Sequence, residues 1–127
     1  MSYGFQKNIS ESLKKTEERI REKLADQGFG ILTEIDVQKA FQEKLGINFR
    51  RYRILGACNP QLAHQALEAE AEIGLLMPCN VVLWENDDKT TTVSIASAVS
   101  ILKLTDADLS ELAREVDQRL QTALQEL

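Results

Sequence analysis

Two β-rich runs joined by four turn residues constrain the fold of this chain most. The runs are "CNVVLWE" (79–85) and "TTTVSIA" (90–96), and "NDDK" lies between them. Asn and Asp tolerate turn conformations, and so short a connection joins neighbouring antiparallel strands. The predicted hairpin therefore requires that at least part of the sheet is antiparallel.

Strands and helices alternate before the hairpin, and one more helix follows it. Composition and apolar patterning predict strands over 3–9, 29–35 and 52–58. Helical spacing of apolar residues predicts helices over 11–27, 37–45, 60–71 and from Thr105 to the end. The order is β-α-β-α-β-α-β-β-α. Residues 97–104, "SAVSILKL", fit either a strand continuation or an ordered loop.

Polar and small residues at the expected helix ends support these boundaries. Candidate caps and stops for the first three helices are, in chain order, Ser10, Gly28, Asp36, Gly46, and Asn59 with Pro60. Thr105 and Asp108 resemble a capping box before the last helix. In the strand over 52–58, alternation separates Tyr52, Ile54, Gly56 and Cys58 from Arg53, Leu55 and Ala57.

The first and last helices each present a single apolar stripe. The stripes are Leu13, Ile20 and Leu24, and then Leu109, Leu112, Val116, Leu120, Ala123 and Leu124. A helix with one apolar face packs that face against another layer. We therefore predict an α+β fold in which two long helices pack on one face of a curved, mainly antiparallel sheet. The other face then needs cover from a partner chain or from the short helices.

Length and charge limit the classes of function. The 127 residues, of which 43% are apolar, suit one domain over 1–127 that buries about two thirds of its unfolded surface. The net charge is -5, and nucleic-acid affinity comes mainly from cationic side chains, so we expect no nucleic-acid partner. We interpret the basic cluster "RRYR" (50–53) as a solvated sheet edge that discourages aggregation.

Targeting features point to a cytoplasmic protein with no membrane partner. No stretch approaches the ~20 consecutive apolar residues of a membrane span. The start, "MSYGFQKNISES", lacks the basic and apolar regions of a secretion signal. With only two cysteines, we expect both to remain thiols in a reducing compartment.

The corner "ILGACNPQLAHQAL" (54–67) is the first candidate for chemistry. Cys58 precedes a helix cap, where backbone donors and the helix dipole favour a thiolate. An unpaired cysteine at a strand end is equally typical of an ordinary buried residue. His64, the only histidine, falls on the polar face of the helix beside Glu68, which weakens a Cys58–His64 dyad.

The second cysteine begins a strand in "MPCNVV". Cys79, like Cys58, is followed by an asparagine, so Asn59 and Asn80 could shape one common corner with the two thiols. Two thiols and an imidazole could hold a soft metal ion, although a structural zinc site uses four protein ligands. The nucleotide-binding, hydrolase and metalloprotease motifs are absent, and no residue is predicted to be catalytic.

The two cysteine corners together resemble a known prokaryotic family, domain of unknown function 302. The residues that carry the resemblance are Tyr52, Leu55, Gly56, Cys58, Asn59, Pro60 and Ala63, followed by Gly74, Leu75, Pro78, Cys79, Asn80 and Val81. The similarity is close over residues 28–96. Family members often turn with Ile-Asp-Pro after the last strand, whereas this chain reads "SIASAVSILKL", so the path after Ala96 is not implied.

The resemblance implies a fold similar to half of a TATA-binding protein, β-α-β4-α with added short helices, and a tendency to self-associate. It implies no particular activity, cofactor or DNA binding. We favour a non-enzymatic cytoplasmic homodimer that binds a small ligand or soft metal ion near Cys58, Asn59, Cys79 and Asn80. One alternative is a thiol-based redox enzyme or sensor with Cys58 attacking, Cys79 resolving and His64 assisting. Another is an interaction module with inert cysteines and a functional free sheet face.

Overall fold

The structure, a computed structural model, describes residues 2–127 and contains one five-stranded antiparallel sheet. The strands are β1 (Gly4–Ile9), β2 (Gly30–Asp36), β3 (Tyr52–Cys58), β4 (Cys79–Glu85) and β5 (Thr91–Ala96). The helices are α1 (Leu13–Asp26), α2 (Val37–Leu45), α3 (Pro60–Ala69), α4 (Ala98–Ile101) and α5 (Ser110–Gln125). Two 3-10 helices cover Ala71–Leu76 and Leu102–Leu104. The predicted α+β class is confirmed.

The strand order is β1-β5-β4-β3-β2, so β4 is the middle strand and β1 and β2 are the edges. The predicted hairpin joins β4 to β5. The Asn86 N–H donates to the Thr90 carbonyl at 2.8 Å, and Lys89 takes a φ of 69° in the turn. This short turn brings the two β-rich runs side by side in antiparallel register.

The two long helices pack on the same face of the sheet, as their single apolar stripes predict. In α1, Ile20 and Leu24 are fully buried, and in α5 Leu120 is fully buried. They meet the inward side chains of β3, β4 and β5 in one core. Each such large side chain stabilises the fold by about 1.5–3 kcal/mol relative to exposure.

The residues that alternate with those core side chains form the opposite surface, which we call the open face. Strand register places on it Gly4, Gln6, Asn8, Thr33, Ile35, Tyr52, Ile54, Gly56, Asn80, Val82, Trp84, Thr92, Ser94 and Ala96. The alternation predicted for β3 holds for Ile54, Leu55 and Ala57, because Leu55 and Ala57 are buried under the helices while Ile54 is only partly buried. Gly56 is buried as well, and Cys58, the last residue of the strand, lines a cavity at the end of the sheet.

Helix α1 begins later than predicted. Ser12, not Ser10, is the cap, and its side chain accepts from the Lys15 N–H at 3.2 Å. The reason lies in the sheet, since the Thr91 hydroxyl donates to the Glu11 carbonyl at 2.9 Å and holds this part of the chain at the start of β5. Only after that contact can the helical hydrogen bonds begin.

The capping box predicted at Thr105 and Asp108 is also wrong. Helix α5 begins at Ser110, and the Asp108 carboxylate accepts from the Ser110 N–H and hydroxyl at 3.2 and 2.6 Å. Thr105 instead accepts from the Ala107 N–H within the loop. Leu109 occupies the cap position because its side chain is buried in a cluster with Ala66 of α3 and Ile73 of the following 3-10 helix, and tertiary packing decides this boundary.

The ambiguous segment 97–104 folds as α4 followed by a 3-10 helix, not as a strand. A buried carboxylate on α5 holds it in place. Asp117 accepts from the Ser97 hydroxyl at 2.7 Å and from the backbone N–H groups of Ala98 and Val99 at 2.6 and 3.2 Å. Three hydrogen bonds to one carboxylate satisfy the start of α4 and offset the cost of burying the charge.

The interpretation of "RRYR" as a sheet edge is wrong for its last residue, because β3 lies between β2 and β4. The Arg53 guanidinium contacts the two Glu17 carboxylate oxygens at 2.9 and 3.1 Å. Burial tends to raise the pKa of the Glu17 carboxyl, but the hydrogen bonds and charges of Arg53 and Arg21 outweigh it and lower that pKa. Arg53 thus joins α1 to the sheet, whereas Arg50 and Arg51 are exposed.

Candidate functional site

A cavity of about 60 Å³ lies at the end of the sheet where β3 stops and β4 starts. Helices α3, α4 and α5 and both 3-10 helices enclose it. Its lining is mostly aliphatic and includes both thiols, and it consists of Phe29, Ala57, Cys58, Asn59, Leu62, Ala63, Ala66, Ile73, Leu76, Met77, Pro78, Cys79, Ala96, Ala98, Ile101, Leu102, Leu112 and Val116. The tertiary structure therefore brings the two cysteines, distant in sequence, to one recess.

Asn59 sets the corner on the Cys58 side. As predicted, its side chain caps α3, accepting from the Leu62 N–H at 3.1 Å, and Pro60 follows in the first turn. The Asn59 amide packs against Gly28, where a Cβ would lie 2.9 Å from Nδ2 and where φ is +84°. Glycine is therefore required opposite the cap. The loop at Gly28 and the corner at Asn59 pack closely against each other beside the cavity.

Close backbone packing sets the Cys79 side. Cys79 pairs with Ala57 in the β3–β4 register and faces the helices. The preceding Pro78, joined to Met77 by a cis peptide bond, lies over Gly56. A Cβ on Gly56 would overlap the Thr33 hydroxyl and lie 2.7 Å from Pro78 Cγ, so only glycine fits there.

Both cysteines are free, and pKa values raised above the ordinary value for a thiol favour the protonated form of both at neutral pH. Burial raises the pKa of Cys58, which contradicts the thiolate expected from its place before a helix. Burial, with smaller contributions from the Asp117 carboxylate and from Cys58, raises the pKa of Cys79 to about 11. The cavity therefore contains two neutral, polarisable sulfurs.

Two predicted site residues lie away from the cavity lining. The His64 imidazole is 75% exposed on the outer side of α3, and its Nε2 is 3.3 Å from Glu68 Oε1, so the predicted pairing with Glu68 is confirmed. Asn80 is exposed on the open face opposite Gly56. Because successive strand residues point to opposite faces, the Asn80 side chain points away from the cavity that Cys79 lines.

The residues 2–127 contain no group of three or more His, Cys, Asp or Glu side chains arranged to hold a metal ion. A metal ion in the cavity would have the two sulfurs as ligands. Across the same described range, no helix combines the length and the apolar character needed to cross a membrane.

Sequence reasoning missed Asp117 and most of the aliphatic cavity wall. The signal for Asp117 is an acid within the buried stripe of α5, next to Val116 and three residues before Leu120. The wall residues Ala66 and Ile73 look like ordinary core in the sequence. Their convergence on the thiols depends on the packing of α3 and its following 3-10 helix against α5.

Comparison with known proteins agrees with the cysteine motifs. The family model "Domain of unknown function DUF302" matches residues 5–127. The crystal structure of an uncharacterized conserved DUF302 protein from Bacillus stearothermophilus is similar, with 28% sequence identity, a TM-score of 0.90 and 98% of each chain covered. Among curated proteins there is no significant match. The predicted resemblance is confirmed, and the chain belongs to the DUF302 family.

Proposed function

We propose that this domain binds a small apolar molecule in the cavity beside Cys58 and Cys79. The observation that carries the proposal is the cavity itself, about 60 Å³ in volume, with a mostly aliphatic lining and two thiols. Aliphatic walls supply dispersion contacts, and neutral sulfur adds polarisable contacts with an apolar guest.

Water is a poor occupant of such a site. An ordered internal water makes about three hydrogen bonds. Here the Asn59 side-chain oxygen already accepts from the Leu62 N–H, and protonated thiols are weak donors and acceptors. Because an apolar guest gains at most about 1.5 kcal/mol per heavy atom, one of about four heavy atoms would bind no more tightly than a Kd of tens of micromolar.

The raised pKa values of the two thiols argue against metal binding and against redox chemistry at this site. A soft metal ion requires deprotonated sulfur, and so does attack on a disulfide. Burial opposes deprotonation of both Cys58 and Cys79. Titration with a chromogenic disulfide should therefore modify both thiols slowly at pH 7, with Cys79 the slower. Fast modification at pH 7 that Cys58→Ser abolishes would favour the redox alternative.

The proposal includes a cytoplasmic homodimer. Free thiols suit a reducing compartment, and the open face, which neither long helix covers, is available to a partner chain. Sedimentation equilibrium should give a mass near twice the 14.3 kDa of one chain. A mass that stays near 14.3 kDa at all concentrations would contradict the dimer and leave the cavity proposal untouched.

Xenon is a suitable probe of the cavity, because it is small, apolar and chemically inert. Methyl NMR under increasing xenon pressure should show saturable shifts at Ala66, Ile73 and Val116, which line the cavity. Ile9, at the opposite end of the sheet, should not shift. If no methyl group of the lining shifts, the proposed ligand site is wrong.

A matched pair of variants ties the binding to the cavity. Ala66→Val adds two methyl groups inside the lining and should abolish the saturable shifts. Ala123→Val makes the same change at a fully buried alanine of α5 outside the lining, and it should leave them unchanged. Thermal unfolding of both variants establishes that each is folded under the conditions of the titration.

A further inference from the structure

We infer that the open face of the sheet, together with helix α2, is the surface on which a second copy of this chain docks. The inference rests on the proposed homodimer and adds the place where the copies meet. The surface is distinct from the ligand cavity, whose walls lie mostly under the helices at the end of the sheet, and of the open-face residues only Ala96 also lines that cavity.

Charge is the first observation. Asp, Glu, Lys and Arg make up 28% of the chain, yet none of these residues occurs on the open face as the described strands define it. Helix α2 adds Lys39, Glu43 and Lys44 to the proposed surface, and most of the charged residues behind the net charge of -5 lie elsewhere, where like charges oppose the approach of an identical copy. Depletion of charge is also typical of the buried centre of protein interfaces.

The polar groups on this face favour an identical partner. Its exposed amides, such as Asn8 and Asn80, and its exposed hydroxyls, such as Thr33, each donate and accept hydrogen bonds. Such groups can pair with their own copies across a twofold axis, as a self-complementary surface requires. A nucleic acid would instead need lysine or arginine here to neutralise its phosphates.

Aromatic and aliphatic side chains supply the apolar part of the surface. A row of rings runs from α2 to the middle strand, with centroids 5.1 Å apart for Phe41 and Phe49, 6.3 Å for Phe49 and Tyr52, and 5.7 Å for Tyr52 and Trp84. No residue in the described range 37–45 of α2 is buried. Within one copy, α2 thus has a hydrophobic side with little to pack against.

Area explains why α2 belongs to the surface. Five strands about 4.8 Å apart and six residues long give roughly 24 Å by 20 Å, about 480 Å² of flat surface. A standard interface buries about 800 Å² of accessible surface on each partner. The sheet alone is therefore small for a stable dimer, and α2 with the exposed Ile47 extends it at one end.

A charge swap at Val82 tests the inference. Val82 is the middle residue of the middle strand and is only partly buried. Val82→Glu and Val82→Lys should each weaken self-association about 100-fold or more, because like charges then face each other. An equal mixture of the two variants should restore dimers of mixed composition. Leu75→Glu, at an 84% exposed leucine outside the surface, should dimerise like the natural chain.

Each outcome of sedimentation equilibrium decides the inference. A dimer that persists in Val82→Glu overturns it, and so does a mixture that stays monomeric while both variants remain folded. If Val82→Glu does not fold, Ile35→Glu, at a 49% exposed position on the same face, replaces it and should also weaken dimerisation. Xenon shifts that persist in the monomeric variant would show that the cavity binds independently of the interface.

Discussion

Each strand of the sheet serves two surfaces with opposite composition. Leu55 is fully buried under α1 and α5, whereas the preceding residue, Ile54, lies partly exposed on the open face. On the helix-covered face, charges occur at the rim and several are paired, as Arg53 is with Glu17. On the open face, within the described strands, there are none.

The difference shows that burial and apolar character are separate properties here. The helix-covered face is apolar because α1 and α5 of the same chain exclude water from it. The open face is uncharged although much of it remains in contact with solvent in one copy. A solvated sheet face usually carries polar and charged residues. The dimer proposed above would account for this lack of charge.

The largest difference between the faces should appear in a pair of alanine variants. Leu55→Ala leaves a cavity in the core and should lower the free energy of unfolding by about 3 kcal/mol. Ile54→Ala should lower it by less than about 1 kcal/mol, because the site is only partly buried. Urea unfolding at low protein concentration measures both. Equal losses would show that the two faces are equally well packed.

The buried carboxylate on the helix-covered side gives the next effect. The two carboxylate oxygens of Asp117 accept three hydrogen bonds that hold α4. Asp117→Asn keeps the shape of the side chain, but it removes the charge and replaces one of the two acceptor oxygens with a donor amide. We expect a loss of about 2 kcal/mol in urea unfolding. The neighbouring exposed residue provides the control, since Gln118→Asn should change stability by less than about 0.5 kcal/mol. A neutral result for Asp117→Asn would mean that α4 is held by packing alone.

The paired rim charges should make the helix-covered face sensitive to acid. The folded-state pKa of Glu17 lies below its usual value of 4.5, so its carboxylate stabilises the fold above that pH and loses this contribution as the pH falls through the lowered pKa. Glu17→Gln should cost about 1 kcal/mol at pH 7 and almost nothing at pH 3. The exposed neighbour variant Glu18→Gln should show no such difference between pH 7 and pH 3.

The smallest effect is expected at a site that belongs to neither face. His64 and Glu68 are 75% and 74% exposed, and such an i,i+4 pair contributes little to stability. His64→Ala should change the free energy of unfolding by less than about 0.5 kcal/mol and leave the xenon shifts unchanged. A loss of xenon binding in this variant would show that His64 does contribute to the cavity site.

The hairpin and the corner at Asn59 were predictable because each depends on residues close together in sequence. "NDDK" encodes its turn locally, and Asn59 with Pro60 encodes a helix start. The boundaries that failed depend on distant contacts. Ser12 replaced Ser10 because of a bond from Thr91, and α5 begins at Ser110 because Leu109 is buried.

Local sequence determined the antiparallel hairpin, the amphipathic helices and the two cysteine corners, because turn, cap and periodicity signals act over a few residues. Only the tertiary structure decided that Cys58 and Cys79 line one cavity, that Asn80 diverges from them, and that the uncharged positions of five strands form one continuous surface. The physical reason is that strand order and register join segments far apart along the chain, and no short stretch of sequence specifies that pairing.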